Sequence, residues 1–126
     1  MFEDAMKDIK RFTIGPEKKS EILKKWISHG LDCLALQGPF GINGYVGIPE
    51  NHPDYKKDYD DVEVDVHGGL TFADEGDDKL WKKGLWWFGF DTAHAFSGLW
   101  SLESVIMETE RLAKQLAERQ GDVGSE

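Results

Sequence analysis

Residues 62–94 read VEVDVHGGLTFADEGDDKLWKKGLWWFGFDTAH, and they contain the only Gly-Gly pair, two of the four histidines and three of the five tryptophans. From residue 62 to residue 67 apolar and polar residues alternate strictly, which is the period of two typical of a half-buried strand. The polar face of that strand carries Glu63, Asp65 and His67. Gly68 and Gly69 predict a tight hairpin turn because both adopt positive φ without strain, and a returning strand is predicted at residues 70–73.

The second half of the stretch predicts a more deeply buried strand beside a polar corner. Residues 85–90 are rich in aromatic side chains and follow Gly84, a pattern that favours a buried strand. Asp91 and His94 come directly after this run. A turn or a first helical turn at this point would bring the two side chains close together. The sequence therefore predicts a site at the end of the aromatic strand.

Helices are predicted at both ends of the chain. Apolar residues recur at spacings near three and four in residues 1–12, where we expect a short amphipathic helix. Pro16 fits the first position of a helix over residues 17–29, and Gly30 would end it. Ser101 predicts the cap of a C-terminal helix, the most regular element of the chain. The packed face of that helix is Leu102, Val105, Ile106, Thr109, Leu112, Ala113 and Leu116.

Two further strands are predicted between the helices. Residues 31–37 form a short apolar run that fits a central strand, and residues 42–48 fit its neighbour. Gly44 and Gly47 in the second run indicate a bulge, a strong twist, or a place where a ligand or another backbone comes close. Residues 49–61 are polar and predict a loop. We therefore expect an α+β domain with an antiparallel or mixed sheet of about four to five strands, and with an N-terminal and a C-terminal helix packed on one face.

Length and composition indicate one folded unit. The chain has 126 residues, of which 40% are hydrophobic, and this suits a single domain over residues 1–120 followed by a disordered tail at residues 121–126. No apolar run approaches the roughly 18 residues that span a bilayer. Residues 1–11 do not resemble a signal peptide, so a cytoplasmic location is predicted.

Charge and cysteine content narrow the function classes further. The formal net charge of −9 disfavours direct binding to nucleic acid and suits a cation or a basic protein surface. Cys33 is the only cysteine and lies in an apolar run. It is predicted to be a small buried core residue and not a reactive thiol.

Several strings in the chain resemble a known family. GYVGIPENHPDY, VDVHGGLTF and WWFGFDTAH, with a terminal helix ending in ERLAKQL, are similar to an uncharacterised family of small proteins found largely in phages, prophages and bacteria. The resemblance covers roughly residues 31–118. It implies a mobile-element origin, with the host cytoplasm as the location if the chain is phage-encoded, and it implies no mechanism. In that family the D-x-x-H string is usually followed by Ala, Gly and Asp, whereas Ala95, Phe96 and Ser97 stand here.

A metal or acid/base site is one hypothesis for the polar corner. His67, Asp91 and His94 could bind zinc, manganese or iron, with Asp65 as a fourth ligand or a hydrogen-bonding partner. An open coordination position would activate water, as in a metal-dependent hydrolase. In the structural alternative, Asp91 caps the turn after it, His94 bonds a backbone carbonyl and His67 holds the hairpin. No recognised zinc or hydrolase spacing is present, so no catalytic residue is assigned.

Binding without catalysis is a second hypothesis. Tyr45 and several tryptophans could form an aromatic wall on which a base or another flat ligand stacks. His67 and Thr71 would then form hydrogen bonds with the polar edge of that ligand. The tryptophans concerned are Trp81, Trp86, Trp87 and Trp100. In a regular strand Trp86 and Trp87 point to opposite faces, so at least one of them belongs to the core.

A third hypothesis is an acidic protein-interaction module that covers a basic surface of a host protein.

We predict a phage- or prophage-type domain that binds a small ligand or a metal in a pocket lined by His, Asp and Trp. The predicted ligand-binding residues are Tyr45, His67, Thr71, Trp87, Asp91 and His94, and the predicted ligands of a zinc or manganese ion are Asp65, His67, Asp91 and His94. The expected partner is a small molecule or a host protein, and no membrane contact is expected.

Overall fold

The computed structural model describes residues 21–76, 81–92 and 100–124. In that part of the chain five strands and two helical segments follow one another. They are β1 (Glu21–Ser28), β2 (Leu31–Gln37), β3 (Ile42–Ile48), a 3₁₀ turn (Tyr59–Asp61), β4 (Phe72–Glu75), β5 (Trp86–Phe90) and the helix α1 (Leu102–Gly124). The strands form one sheet in the order β1-β2-β3-β5-β4, and each neighbouring pair is antiparallel. The α+β class is therefore confirmed.

The main core lies between α1 and one face of the sheet. Its buried members include Cys33, Val46, Phe88 and Phe90 from the strands and Val105, Leu112 and Leu116 from the helix. A Cβ at Gly44 would collide with the Thr109 hydroxyl and with the Phe90 ring. Since β3 keeps a regular register with both neighbours, Gly44 serves the close approach of the helix to the sheet.

The other face of the sheet carries a second apolar cluster. Its buried members are Leu34, Leu36, Tyr45, Trp81 and Trp87, with Ile22, Phe72 and Leu85 beside them. Phe72 and Trp81 stack with their ring centroids 5.4 Å apart, and Tyr45 meets Trp81 edge-on at 4.8 Å. A Cβ at Gly89 would collide with the Tyr45 ring. β2, β3 and β5 are therefore apolar on both faces, as the continuous apolar runs in their sequences indicate.

The helix predicted over residues 17–29 is wrong where the structure describes it, because residues 21–28 form the edge strand β1. The register between β1 and β2 shifts between Ile22 and Lys24. This bulge places Leu23 and Trp26, which are three residues apart, on the same face of the sheet. The period of two is interrupted as a result, and the apolar positions imitate a helical stripe. Pairing with the buried strand β2 outweighs the helical propensity.

Gly30 lies in the hairpin loop between β1 and β2, whereas the sequence predicts that it ends a helix. His29 and Gly30 have φ of +53° and +79°, and they are the two residues between the paired Ser28 and Leu31. Two successive positive φ values are typical of a type I′ hairpin loop. The glycine was therefore a correct stop signal, but for a strand. The helix predicted in residues 1–12 lies outside the described residues.

The strand predicted at residues 62–67 does not join the sheet. Val62 and Val66 are buried, as the alternation predicts. The backbone of this segment, however, forms its hydrogen bonds with side chains of α1. Gln115 Oε1 accepts from the Asp65 N–H at 2.7 Å, and Gln115 Nε2 donates to the Asp65 carbonyl at 2.9 Å. The Gln115 amide thus takes the place of a peptide group in a neighbouring strand.

The Gly-Gly turn is present and connects this helix-bound segment to the sheet. The Gly69 N–H donates to the Val66 carbonyl at 2.9 Å, and Gly68 has a φ of +71°. The returning strand lies two residues later than predicted, as β4, and it pairs with β5 and not with residues 62–67.

The predicted cap of the C-terminal helix is confirmed. The Ser104 N–H donates to Ser101 Oγ at 3.1 Å, which satisfies one of the amides that the first turn leaves unpaired. The helix continues to Gly124, beyond the predicted domain boundary at residue 120.

Candidate functional site

The pair Thr71 and Asp91 joins the two motifs of the central stretch. The Thr71 hydroxyl donates to Asp91 Oδ2 at 3.2 Å. Thr71 precedes β4 and Asp91 follows β5, so both lie at the same end of two paired antiparallel strands. Thr71 is exposed and Asp91 is half-buried. The structure therefore brings together, at the surface, two of the predicted ligand-binding residues.

The β2–β3 hairpin lies at the same end of the sheet. The Thr92 hydroxyl donates to the Ile42 carbonyl at 3.0 Å, which connects the segment after β5 to the start of β3. Gln37 pairs with Ile42 on one side and with Glu21 on the other. We call this end of the sheet the rim, and it consists of Glu21, residues 37–43, Thr71 and residues 90–92.

His67 lies against the helix. Its backbone N–H donates to Glu108 Oε2 at 2.7 Å, and its ring packs on Trp100 with the ring centroids 4.5 Å apart. Glu108 in turn accepts from Nε and Nη2 of Arg111 at 3.2 and 3.1 Å. The HGGLT segment, residues 67–71, is therefore held by α1 at its first residue and by Asp91 at its last.

Asp65 does not converge with these residues. Its side chain is 86% exposed, and its Oδ2 accepts from Arg111 Nη1 at 3.2 Å. Hydrogen bonds to Glu108 and to Asp65 raise the pKa of Arg111, so the guanidinium remains a charged competitor for any cation at this carboxylate. The role of Asp65 as a metal ligand gains no support from this geometry.

The metal site as a whole includes a residue that the structure does not describe, because His94 lies outside the described residues. Within residues 21–76, 81–92 and 100–124, no group of three or more His, Cys, Asp or Glu side chains is arranged to hold a metal ion. A zinc or manganese site at this corner therefore stays a prediction.

The tryptophans do not form one wall. Trp81 and Trp87 are buried on the face of the sheet opposite α1, whereas Trp86 and Trp100 pack on the helix side. The prediction that Trp86 and Trp87 point to opposite faces is thus confirmed. Trp87 is 1% exposed and Tyr45 is 3% exposed, so these two predicted ligand-binding residues lie in the core, away from His67. A ligand cannot stack on them unless the second cluster opens.

Sequence reasoning missed a buried polar network between the loop after β3 and the helix. Asp54 is fully buried, and it accepts from Arg119 Nε at 2.5 Å and Nη2 at 2.9 Å and from Lys57 Nζ at 3.1 Å. Burial alone would raise the pKa of Asp54, but the hydrogen bonds from Arg119 and Lys57 outweigh it and hold the pKa below its ordinary value. We call Asp54, His52, Lys57 and Arg119 the Asp54 network.

His52 completes this network as a neutral ring. Its Nδ1 accepts from the Asp54 N–H at 3.0 Å, so Nε2 carries the proton that is donated to the Leu116 carbonyl at 2.7 Å. The only signal in the sequence is a histidine and an aspartate on either side of Pro53, in a polar loop that looks solvated. The network fastens this loop to the second half of α1.

Cys33 is a core residue, as predicted. It is 2% exposed, and burial raises the pKa of its thiol to about 12. The thiol is therefore protonated at neutral pH and does not serve as a nucleophile.

Comparison with protein-family models, with curated proteins and with solved structures finds no match for this chain. In the part of the chain that the structure describes, no helix combines the length and the apolar character needed to cross a membrane. The resemblance to phage and prophage proteins stays a prediction.

Proposed function

We propose that this protein is a small-ligand-binding domain whose site is formed by the HGGLT segment and Asp91. The observation that carries the proposal is the surface hydrogen bond between Thr71 and Asp91 at 3.2 Å. An exposed polar pair adds little to stability, because water competes for both partners. A hydroxyl and a carboxylate that the fold brings together without a large stabilising role are therefore suited to hydrogen-bonding a ligand.

The backbone of the HGGLT segment supports the proposal because it is fixed at both ends. Glu108 accepts from the His67 N–H at 2.7 Å, and the Thr71 N–H donates to the Gly89 carbonyl at 2.9 Å. Between these anchors a Cβ at Gly69 would meet nothing within 4 Å, so there is open space beside the turn. A segment ordered before binding loses less conformational entropy when a ligand arrives.

The chemistry of the site suits a ligand with hydrogen-bond donors or a divalent cation. Asp91 supplies a carboxylate beside the Thr71 hydroxyl, and the proposal adds the imidazole of His67, whose ring packs on Trp100. These groups, together with His94 as proposed from the sequence, are ligands that zinc and manganese accept. A metal is therefore one ligand class to test, and a flat organic molecule with hydrogen-bond donors, such as a nucleoside, is another.

Metal content is the first test. Zinc and manganese would be measured by elemental analysis of tag-free protein and of a His67→Ala/His94→Ala double variant. The matched control is His29→Asn, which removes an exposed histidine whose positive φ asparagine tolerates. Stoichiometric metal that the double variant loses and the control keeps would support a metal site.

Binding is then tested by amide NMR spectra recorded during titration with Zn²⁺, Mn²⁺ and adenosine. We expect at least one probe to shift or broaden the amides of residues 67–71 and 91 first, and Thr71→Val and Asp91→Asn to weaken that response. If the same probe acts equally on the native protein and on both variants, or acts only elsewhere, the proposed site is wrong.

A further inference from the structure

We infer that the site extends along the rim to Phe40 and takes a flat organic cation, a ligand with an aromatic plane beside an amidinium, guanidinium or ammonium group. This inference rests on the proposed function because Asp91 is common to both. It adds the chemical class of the ligand and a second contact residue.

Phe40 stands at the tip of a stiff hairpin. The Gly38 N–H donates to the Gly41 carbonyl at 2.8 Å, so Pro39 and Phe40 are the two residues of the loop. Phe40 is 80% exposed, whereas Phe90 is 1% exposed. Hairpin loops usually carry polar residues or glycine, and Pro39 fixes its own φ. An aromatic ring presented on such a short loop loses little backbone freedom on binding.

The rim brings this ring near the Thr71–Asp91 pair. Ile42 follows Phe40 by two residues, which span at most ~7 Å of chain. The Ile42 carbonyl accepts from the Thr92 hydroxyl at 3.0 Å, and Asp91 is the adjacent residue. The ends of β3 and β5 are neighbours, about 4.8 Å apart in a sheet. One small molecule can therefore reach from Phe40 to Asp91.

The charge of the described rim residues favours a cation. Its described residues include two carboxylates, Glu21 and Asp91, and no lysine, arginine or histidine. The whole chain has a formal net charge of −9, which repels anions and attracts cations over a longer range. A carboxylate bonds an amidinium or guanidinium with charge-assisted hydrogen bonds, and an aromatic face attracts the same cation.

Three probes of the same shape and different charge show how much of the binding depends on the charge of the ligand. Benzamidine, benzamide and benzoate share a phenyl ring with a planar substituent and differ in charge. Titration at constant low salt, followed by amide NMR spectra, should show benzamidine binding most tightly, with shifts at Phe40, Gly41, Asp91 and Thr92 and a Kd on the order of 1 mM. Benzamide should bind more weakly, and benzoate should not bind.

Variants assign the contacts. Phe40→Ser should weaken benzamidine binding by about tenfold, and Asp91→Asn should remove the preference for benzamidine over benzamide. Met107→Ser is the matched control, because Met107 is a 70% exposed apolar residue on α1 outside the rim. This control should bind benzamidine like the native protein. Unchanged amide spectra away from each substitution would show that the variants fold.

The outcomes distinguish this inference from the proposed function. The inference is wrong if benzamidine shifts only the acidic segment at residues 58–65, or if benzamide and benzamidine bind equally. If Zn²⁺, Mn²⁺ or adenosine acts at residues 67–71 while benzamidine does not bind the rim, the proposed function stands and the inference fails. If none of these probes acts on the HGGLT segment or the rim, both are wrong.

Discussion

The Asp54 network and the rim both contain a hydrogen-bonded carboxylate, and they differ in their exposure to water. In the network, the buried Asp54 has hydrogen bonds to both carboxylate oxygens from Arg119 and Lys57. At the rim, Thr71 is exposed and Asp91 is half-buried. A ligand that bound Asp54 would first have to displace charged partners in a dry environment, whereas a ligand at the rim meets an exposed Thr71 hydroxyl and a half-buried Asp91 carboxylate.

This difference changes how a shifted pKa should be interpreted. Perturbed titration is often a marker of functional sites, and by that criterion Asp54 would be the candidate. Its pKa is lowered by Arg119 and Lys57 against the opposing effect of burial. The contacts from Arg119 also join a loop to a helix 65 residues away in sequence. In this chain the strongly bonded carboxylate serves the fold, and the surface carboxylate serves the proposed site.

The largest effect that would test this contrast is the loss of Arg119. Arg119→Ala would leave the carboxylate of Asp54 buried with Lys57 as its remaining cation, and we expect the free energy of unfolding to fall by about 3 kcal/mol. Equilibrium urea unfolding at neutral pH, followed by tryptophan fluorescence, measures this change.

The matched control for that prediction is Arg111→Ala. Arg111 bonds Asp65, which is 86% exposed, and Glu108, which is 14% exposed. Because Glu108 keeps the hydrogen bond from the His67 backbone when Arg111 is removed, and a surface ion pair such as that with Asp65 contributes less than about 1 kcal/mol, the loss should be smaller than for Arg119→Ala. Equal losses in the two variants would show that burial does not distinguish the two sets of ion pairs, and that the Asp54 network stabilises the fold no more than a surface ion pair does.

Acid should weaken the Asp54 network next. Because the pKa of Asp54 is lower in the folded protein than the value of about 3.9 expected for the unfolded chain, the unfolded chain takes up the proton first as the pH falls. The stabilisation is therefore complete above the unfolded pKa and is lost as the pH falls through the folded pKa. We expect the stability difference between the native protein and Asp54→Asn to be larger at pH 6 than at pH 3.

Asp60→Asn serves as the comparison, since Asp60 is exposed in the same region. Its effect on the free energy of unfolding should stay within about 0.5 kcal/mol at both pH values. A pH dependence that is the same in the native protein and in Asp54→Asn would mean that the charge of Asp54 does not stabilise the fold.

The apolar periodicity of the sequence predicts those strands and helices that are regular, without a bulge and without hydrogen bonds from a distant side chain. β2, β3, β5 and the capped start of α1 lie where the apolar runs and Ser101 placed them. β1 was predicted as a helix because its bulge interrupts the alternation, and only pairing with β2 shows that it is a strand. Residues 62–67 keep the alternation of a strand, but Gln115 supplies the hydrogen bonds, and nothing in the local sequence indicates that.

The candidate site was predictable in part for a similar reason. Thr71 and Asp91 were both expected to bind a ligand, and the hairpin topology brings them together. Asp54 and Arg119 gave no sign of their pairing, because a buried ion pair between a loop and a distant helix depends on the finished packing. Trp87 and Tyr45 looked like a binding wall because aromatic residues are common in both pockets and cores, and burial alone decides between the two.

The smallest effect on stability is expected at the rim, and it is the sharpest test of the contrast. Thr71→Val keeps the shape of the side chain and removes the hydroxyl that donates to Asp91. Because Thr71 is exposed, the free energy of unfolding should change by less than about 0.5 kcal/mol, while the NMR response to any probe that binds the HGGLT segment should weaken. A loss of about 2 kcal/mol in urea unfolding would instead place this pair in the same category as Asp54, a structural bond, and the proposed site would lose the observation that carries it.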